Sequence, residues 1–208
     1  MLDAFTVRMV AVGLTVGLGA FLVATFRWER RGLALKHRAR TPVPRAMGLT
    51  WSLFQGVFLF YPVLMVVWPE IAYGTILHFT FPFDTAVQVL GIVIWVAGVG
   101  LLLWCSRLLG PIMMTDGVVE GHELMKRGPY AVIRHPTYVG HVLMGLGVAA
   151  IFLSYLLVVM ALLTIVFAQV QARGEERLLA SPDGFGEAYR AYMEETGRFL
   201  PRMRFRGQ

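Results

Sequence analysis

The sequence predicts an all-α fold, an integral membrane bundle of five transmembrane helices, on three observations. Hydrophobic residues make up 57% of the 208 and charged residues only 15%, too apolar for an ordinary soluble domain. Residues 9–26, 46–68 and 85–106 are free of charge, and each run is long enough to cross about 30 Å of hydrocarbon as a helix. Residues 136–172 also lack Lys, Arg, Asp and Glu. At about 1.5 Å per residue that run is too long for one crossing, so it should form a hairpin of two short spans turning near Leu153-Ser154-Tyr155.

Orientation follows from where the basic residues lie. Seven Lys or Arg fall between Arg27 and Arg45, four between Cys105 and His135, and seven after Gln169. The connection 69–84 has none, nor does the Leu153 turn. This alternation is the positive-inside pattern, with the N-terminus outside and the C-terminus cytoplasmic. The net charge of +6 therefore reads as a topology signal with possible contacts to anionic lipids, not as a nucleic-acid surface. The first run should be retained as an anchor, because Asp3 precedes it and the basic cluster follows it. Lone Cys105 rules out an internal disulfide.

Taken in order, the first helix carries Gly13 and Gly17, which permit close helix approach. The basic segment after it ends in Thr41-Pro42-Val43-Pro44, a stiff linker. The second helix has Trp51 and Trp68 near its ends, where aromatic rings favour the interface, and Pro62 as a kink site. Residues 69–82 are aromatic and should lie along the outer interface. The third helix ends at Trp104, with Arg107 able to snorkel. Polar residues 110–135 should fold as a loop and short helix over the inner mouth of the bundle. Pro136 suits a helix start. Beyond Ala172, the Ser181-Pro182-Asp183-Gly184 turn divides an amphipathic tail into two helical pieces.

Three groups of residues are candidates for chemistry. If a helix starts at Pro136, its free amides and dipole favour an anion, and His135 and Tyr138, three apart, can reach one ligand. The competing reading is a helix end anchored to headgroups by Arg134 and Tyr138. Gly145-Leu146-Gly147 permits close approach, by a second helix or by an extended ligand. Arg173, Glu175 and Glu176 end the last apolar run. They are either a solvated helix end or a set in which acids take hydroxyls or an amino group and the arginine holds a carboxylate in two-pronged fashion. Arg173 and Glu176 lie one helical turn apart.

Arg134-His135-Pro136-x-Tyr138-x-Gly140, followed by Glu175-Glu176, resembles the isoprenylcysteine carboxyl methyltransferase and phospholipid methyltransferase superfamily of integral membrane enzymes. His122-Glu123-Leu124 with Gly128-Pro129-Tyr130 is similar to that family's lead-in, and Arg198-x-x-Pro201 to its ending. The likeness covers residues 121 onward; the first half matches only as generic spans. It implies a single domain with a cofactor-binding core at about 110–208, the cytoplasmic loop and C-terminal helices capping a pocket for S-adenosylmethionine (S-adenosyl-L-methionine). His122, Leu124, Gly128, Tyr130, His135, Pro136, Tyr138, Gly145, Gly147, Glu175 and Glu176 are then cofactor-binding residues. Arg173 and Glu176 become the catalytic pair, with Arg173 at the substrate headgroup.

Methyl transfer from a sulfonium needs a positioned nucleophile, excluded water and a donor pocket, but no metal. The five histidines, His37, His78, His122, His135 and His141, form no metal-ligand spacing with Cys105. A lipophilic acceptor would enter from the membrane. A prenylcysteine-type carboxylate is favoured because Arg173 sits beside the acidic pair; a phospholipid amine or a thiol is the alternative, with Glu176 or His135 as proton acceptor. Sterol-type reductases using NADPH share a related C-terminal pattern and remain the enzymatic rival. A transporter is disfavoured, since the polar residues cluster at one mouth and not at the midplane.

Overall fold

The computed structural model describes residues 1–32, 35–41, 45–70, 76–115 and 117–202. Helix α1 spans Ala4–Gly32, α2 Arg45–Val67, α3 Asp84–Leu109, α4 Pro136–Phe152, α5 Tyr155–Leu179 and α6 Glu187–Glu195. Two short strands, β1 (His37–Arg40) and β2 (Gly117–Val119), pair antiparallel. The linker residues Pro42, Val43 and Pro44 lie outside the described residues.

Among the described residues three helical stretches, Ala4–Phe26, Asp84–Met113 and Tyr155–Leu179, are long and apolar enough to cross a membrane. Trp51–Val67 and Pro136–Phe152 are shorter apolar helices. Helices α1 and α5 both run further than their apolar stretches predict. A backbone already hydrogen-bonded in a helix propagates at little extra cost once nucleated, which carries α5 through Arg173, Glu175 and Glu176 to Leu179.

The chain divides into two compact units. The first comprises Met1–Ala24, Pro44–Gly100 and Gly140–Phe167. Within it α3 and α4 approach so closely that side chains are excluded. A Cβ added to Gly147 would stand 2.7 Å from the Trp95 amide nitrogen and 2.8 Å from the Gly91 carbonyl oxygen. A Cβ on Gly98 would stand 2.8 Å from the Gly140 carbonyl oxygen. Small residues one or two turns apart on both helices therefore form this seam. Gln88, fully buried, donates to the Ile151 carbonyl at 2.9 Å and accepts from the Leu2 amide at 2.9 Å. The expected hairpin turn is at Leu153, whose φ of 47° lies in the left-handed region. Its carbonyl accepts from the Phe79 amide at 3.0 Å, and the Tyr155 amide donates to Leu77 at 2.8 Å.

The second unit comprises Thr25–Val43, Leu101–Val139 and Ala168–Gln208. It holds the β1–β2 ribbon, which the helix-based reading of the sequence did not include. The strands are four and three residues long, too short to show a two-residue alternation by themselves. Gly117, at φ 133°, faces Ala39 and Arg40 where the strands meet.

Candidate functional site

The second unit holds most of the singled-out residues, and His135 and Tyr138 meet two acids on the last turns of α5. Pro136 occupies the first position of α4, as expected of a residue with no amide hydrogen to give. The segment just before it is held by a strap from the C-terminal tail: the Arg134 amide donates to the Gly197 carbonyl at 2.9 Å and the His135 amide to the Arg198 carbonyl at 3.1 Å.

Glu176 is 4% exposed and is ringed by cations. Its Oε1 accepts from Arg134 Nε at 2.8 Å and Arg198 Nε at 3.1 Å, and its Oε2 accepts from Arg198 Nε at 3.0 Å as well as from Arg198 Nη2. Arg134 Nη1 also donates to the carbonyls of Met193, at 3.2 Å, and Thr196, which ties α6 and the tail to the same point. Arg198 Nη1 reaches Gln169 Oε1 at 3.3 Å. A carboxylate at this burial needs such partners, because desolvation of an unpaired charge is prohibitive.

Glu175 differs from its neighbour. Its side chain is 29% exposed, it accepts the Tyr138 hydroxyl proton, and its Oε2 lies 3.4 Å from His135 Nδ1. His135 Nε2 lies 3.3 Å from Glu176 Oε1 but is not aligned for a hydrogen bond, so its pull on Glu176 is that of charge and not of direction. The imidazole stacks against Tyr138 at 5.5 Å between ring centres and lies 6.0 Å from Phe199. Burial by itself would push the His135 imidazolium down. The hydrogen bond to Glu175 and the charges of Glu175 and Glu176 outweigh burial and lift it above its ordinary 6.5. The charged form is thus favoured by folding. Its contribution to stability is full below about pH 6.5 and fades as the pH rises through the raised value. The difference in melting temperature between wild type and His135→Ala, followed across pH 5 to 9, should shrink toward the alkaline end; a difference that grows there would refute the imidazolium.

Tyr130 sits in a short 3-10 turn, Gly128–Ala131, that Gly128 enters at φ 58°. Its ring is buried and its carbonyl accepts the Tyr192 hydroxyl at 2.5 Å. Burial pushes its phenol up, with Cys105 adding to the effect. His122 meets Phe185 edge-on at 6.0 Å between ring centres, and burial lowers its basicity despite nearby Glu123. Leu124 is half-buried.

Other candidates are placed differently. Arg173 is exposed, one turn before buried Glu176, and makes no hydrogen bond or ion pair among the described residues. Gly145 and Gly147 belong to the first unit, where they face Phe58 and the α3 backbone. Arg198 was visible in the sequence only as part of an ending pattern. Nothing in its spacing ties it to a glutamate 22 residues earlier.

Residues 86–182 match the family model for phospholipid methyltransferase, just under half of the chain. The matched stretch contains Arg134, His135, Tyr138, Glu175 and Glu176 and stops before the strap that carries Arg198. This bears out the resemblance drawn from the Arg134–Gly140 motif and the paired acids. No curated protein is significantly similar to the chain. Together with three helices long and apolar enough to span a bilayer, the match indicates a membrane methyltransferase.

Proposed function

We propose that the chain transfers a methyl group from S-adenosylmethionine to a lipophilic acceptor that enters from the membrane. The observation that carries this reading is the pairing of an open acid with a braced one: Glu175 faces outward while Glu176 is locked between Arg134 and Arg198. A carboxylate offers about four acceptor positions. Glu175 uses one for Tyr138 and one faces His135, which leaves others for the ammonium or hydroxyls of an amino-acid-like nucleoside. His135 beside it, in its protonated form, supplies positive charge for a carboxylate. The donor's contribution is an electrophilic methyl on a sulfonium.

With both its oxygens occupied by guanidinium hydrogens, Glu176 serves as a brace for the donor side and is a poor candidate to take a substrate proton. The acceptor of choice remains a prenylcysteine-type carboxylate, which needs no base, with exposed Arg173 as its headgroup contact. A lipid amine is the second reading, favoured by the phospholipid methyltransferase match, and Glu175 is then the available proton acceptor. The chain is read as five spans, counting the two shorter apolar helices, with the site on the cytoplasmic side where the basic residues concentrate.

Calorimetry on the purified protein in detergent tests the donor directly. S-adenosylmethionine is expected to bind and S-adenosylhomocysteine to compete. Binding of NADPH with neither of these would move the assignment to a reductase. Arg173→Ala should raise the acceptor's Michaelis constant with donor affinity unchanged, and Arg173→Lys should recover part of the loss. Equal losses for both ligands would place Arg173 at the donor instead.

A further inference from the structure

Where its apolar run ends, α5 carries a second set of polar residues beside the paired acids. Gln169, Arg173 and Arg177 follow at intervals of four and so rise along one flank of the helix. Gln169 is half-buried, and Arg173 and Arg177 are exposed. Gln169 Oε1 accepts from Arg198 Nη1 at 3.3 Å. A guanidinium only donates, so the Gln169 atom that faces it must be the oxygen, and the hydrogens of Nε2 are turned elsewhere. Among the described residues those hydrogens have no partner, nor have the guanidinium groups of Arg173 and Arg177. Glu176 lies at the inner edge of the flank, with both its oxygens taken by Arg134 and Arg198. Glu175 projects to the other side of the helix, toward Tyr138 and His135. The flank therefore presents hydrogen-bond donors and positive charge, and no open carboxylate.

We infer that this flank holds an oxyanion of the lipophilic acceptor, with Gln169 Nε2 donating to it beside the Arg173 guanidinium. Gln169 is thus a residue that sets the substrate class: lipids whose head carries a carboxylate or a phosphate. An oxyanion offers only lone pairs and negative charge, which is what two guanidinium groups and an amide N–H can satisfy. A lipid with a bare ammonium head would meet donors and like charge, so it is rejected whichever atom takes the methyl. The flank begins where the apolar run stops, and Val170 beside it is 42% exposed, so a lipid's head can reach the donors while its tail stays in apolar surroundings. The inference rests on the proposed methyl transfer in calling this lipid the acceptor; the binding itself requires no methyl donor.

Calorimetry on the purified full chain in non-ionic detergent, with ligands that share one farnesyl tail, provides the test. The probes are N-acetyl-S-farnesylcysteine, its methyl ester, farnesyl phosphate and farnesylamine. The wild type should bind the carboxylate or the phosphate at least about tenfold more tightly than the ester and the amine, the worth of one hydrogen bond to a charged group. Which of the two oxyanions binds better identifies the head. Gln169→Glu is the decisive variant, because it keeps an oxygen for Arg198 and replaces the amide hydrogens with negative charge. It should lower oxyanion affinity by about tenfold and raise that of the amine, with melting temperature and S-adenosylhomocysteine affinity unchanged. A residue that only anchored Arg198 would leave the oxyanion affinity of Gln169→Glu at the wild-type level, and that result overturns the proposal. Equal binding of all the probes by the wild type overturns it as well. Gln169→Met, apolar and of similar length, should show the same loss of oxyanion affinity if the glutamate variant does not fold. An oxyanion preference that needs Gln169, in a protein that binds no S-adenosylmethionine, would sustain the subsite and remove the methyl-transfer reading.

Discussion

Replacing Glu176 with alanine is expected to weaken folding by about 3–5 kcal/mol, the range for removing one partner of a buried ion pair. The loss arises from what is left behind. Arg134, whose side chain is 8% exposed, would keep its carbonyl partners but lose its anion, and His135 would lose one of the two carboxylates that hold its proton. Arg198 would lose three of its contacts at once, and with them the side-chain anchor of the strap. Thermal melting in detergent reads this directly. Glu176→Gln should recover part of the loss, since it keeps the shape and one acceptor oxygen. A double-mutant cycle of Glu176→Gln with Arg198→Met should show coupling of about 0.5–3 kcal/mol. Melting of Glu176→Ala indistinguishable from wild type would mean that the acid is solvated and the brace does not exist.

Gly147→Ala is expected to have the next largest effect. The added methyl would stand 2.7–2.8 Å from the Trp95 nitrogen, the Gly91 oxygen and the Trp95 Cβ, so α3 and α4 must separate. Forcing extra volume into a close-packed contact costs typically 1–3 kcal/mol, and here the opposing atoms are mostly backbone, which cannot rotate away. The expected result is a lower melting temperature, with donor affinity of the still-folded protein preserved. Reduced donor affinity with normal melting would assign Gly147 to the cofactor and not to the helix seam. Gly145→Ala offers a graded comparison, because the atoms nearest the added methyl belong to the Phe58 ring, at 3.0 Å, and a ring can shift.

These outcomes separate what was legible in the sequence from what was not. The hairpin turn at Leu153 was legible because a charge-free run of fixed rise per residue cannot exceed the bilayer without turning. The start of α4 at Pro136 was legible from proline chemistry, and the paired acids after the last span from charge. Each is a local constraint, written in consecutive residues. By contrast, His135 and Tyr138 could be placed one turn apart from spacing, but their choice of Glu175 as shared partner could not.

The sequence by itself determined a helical membrane chain, its turn, its helix start and the stretch in which its polar residues concentrate, because hydropathy and backbone geometry act locally. Tertiary structure alone decided that Arg198 returns to clamp Glu176, that residues 37–40 and 117–119 form a ribbon, and that Gly147 meets a helix backbone. These are pairings between residues far apart in the chain. Their energies depend on burial and approach distance, and neither quantity exists until the helices have packed.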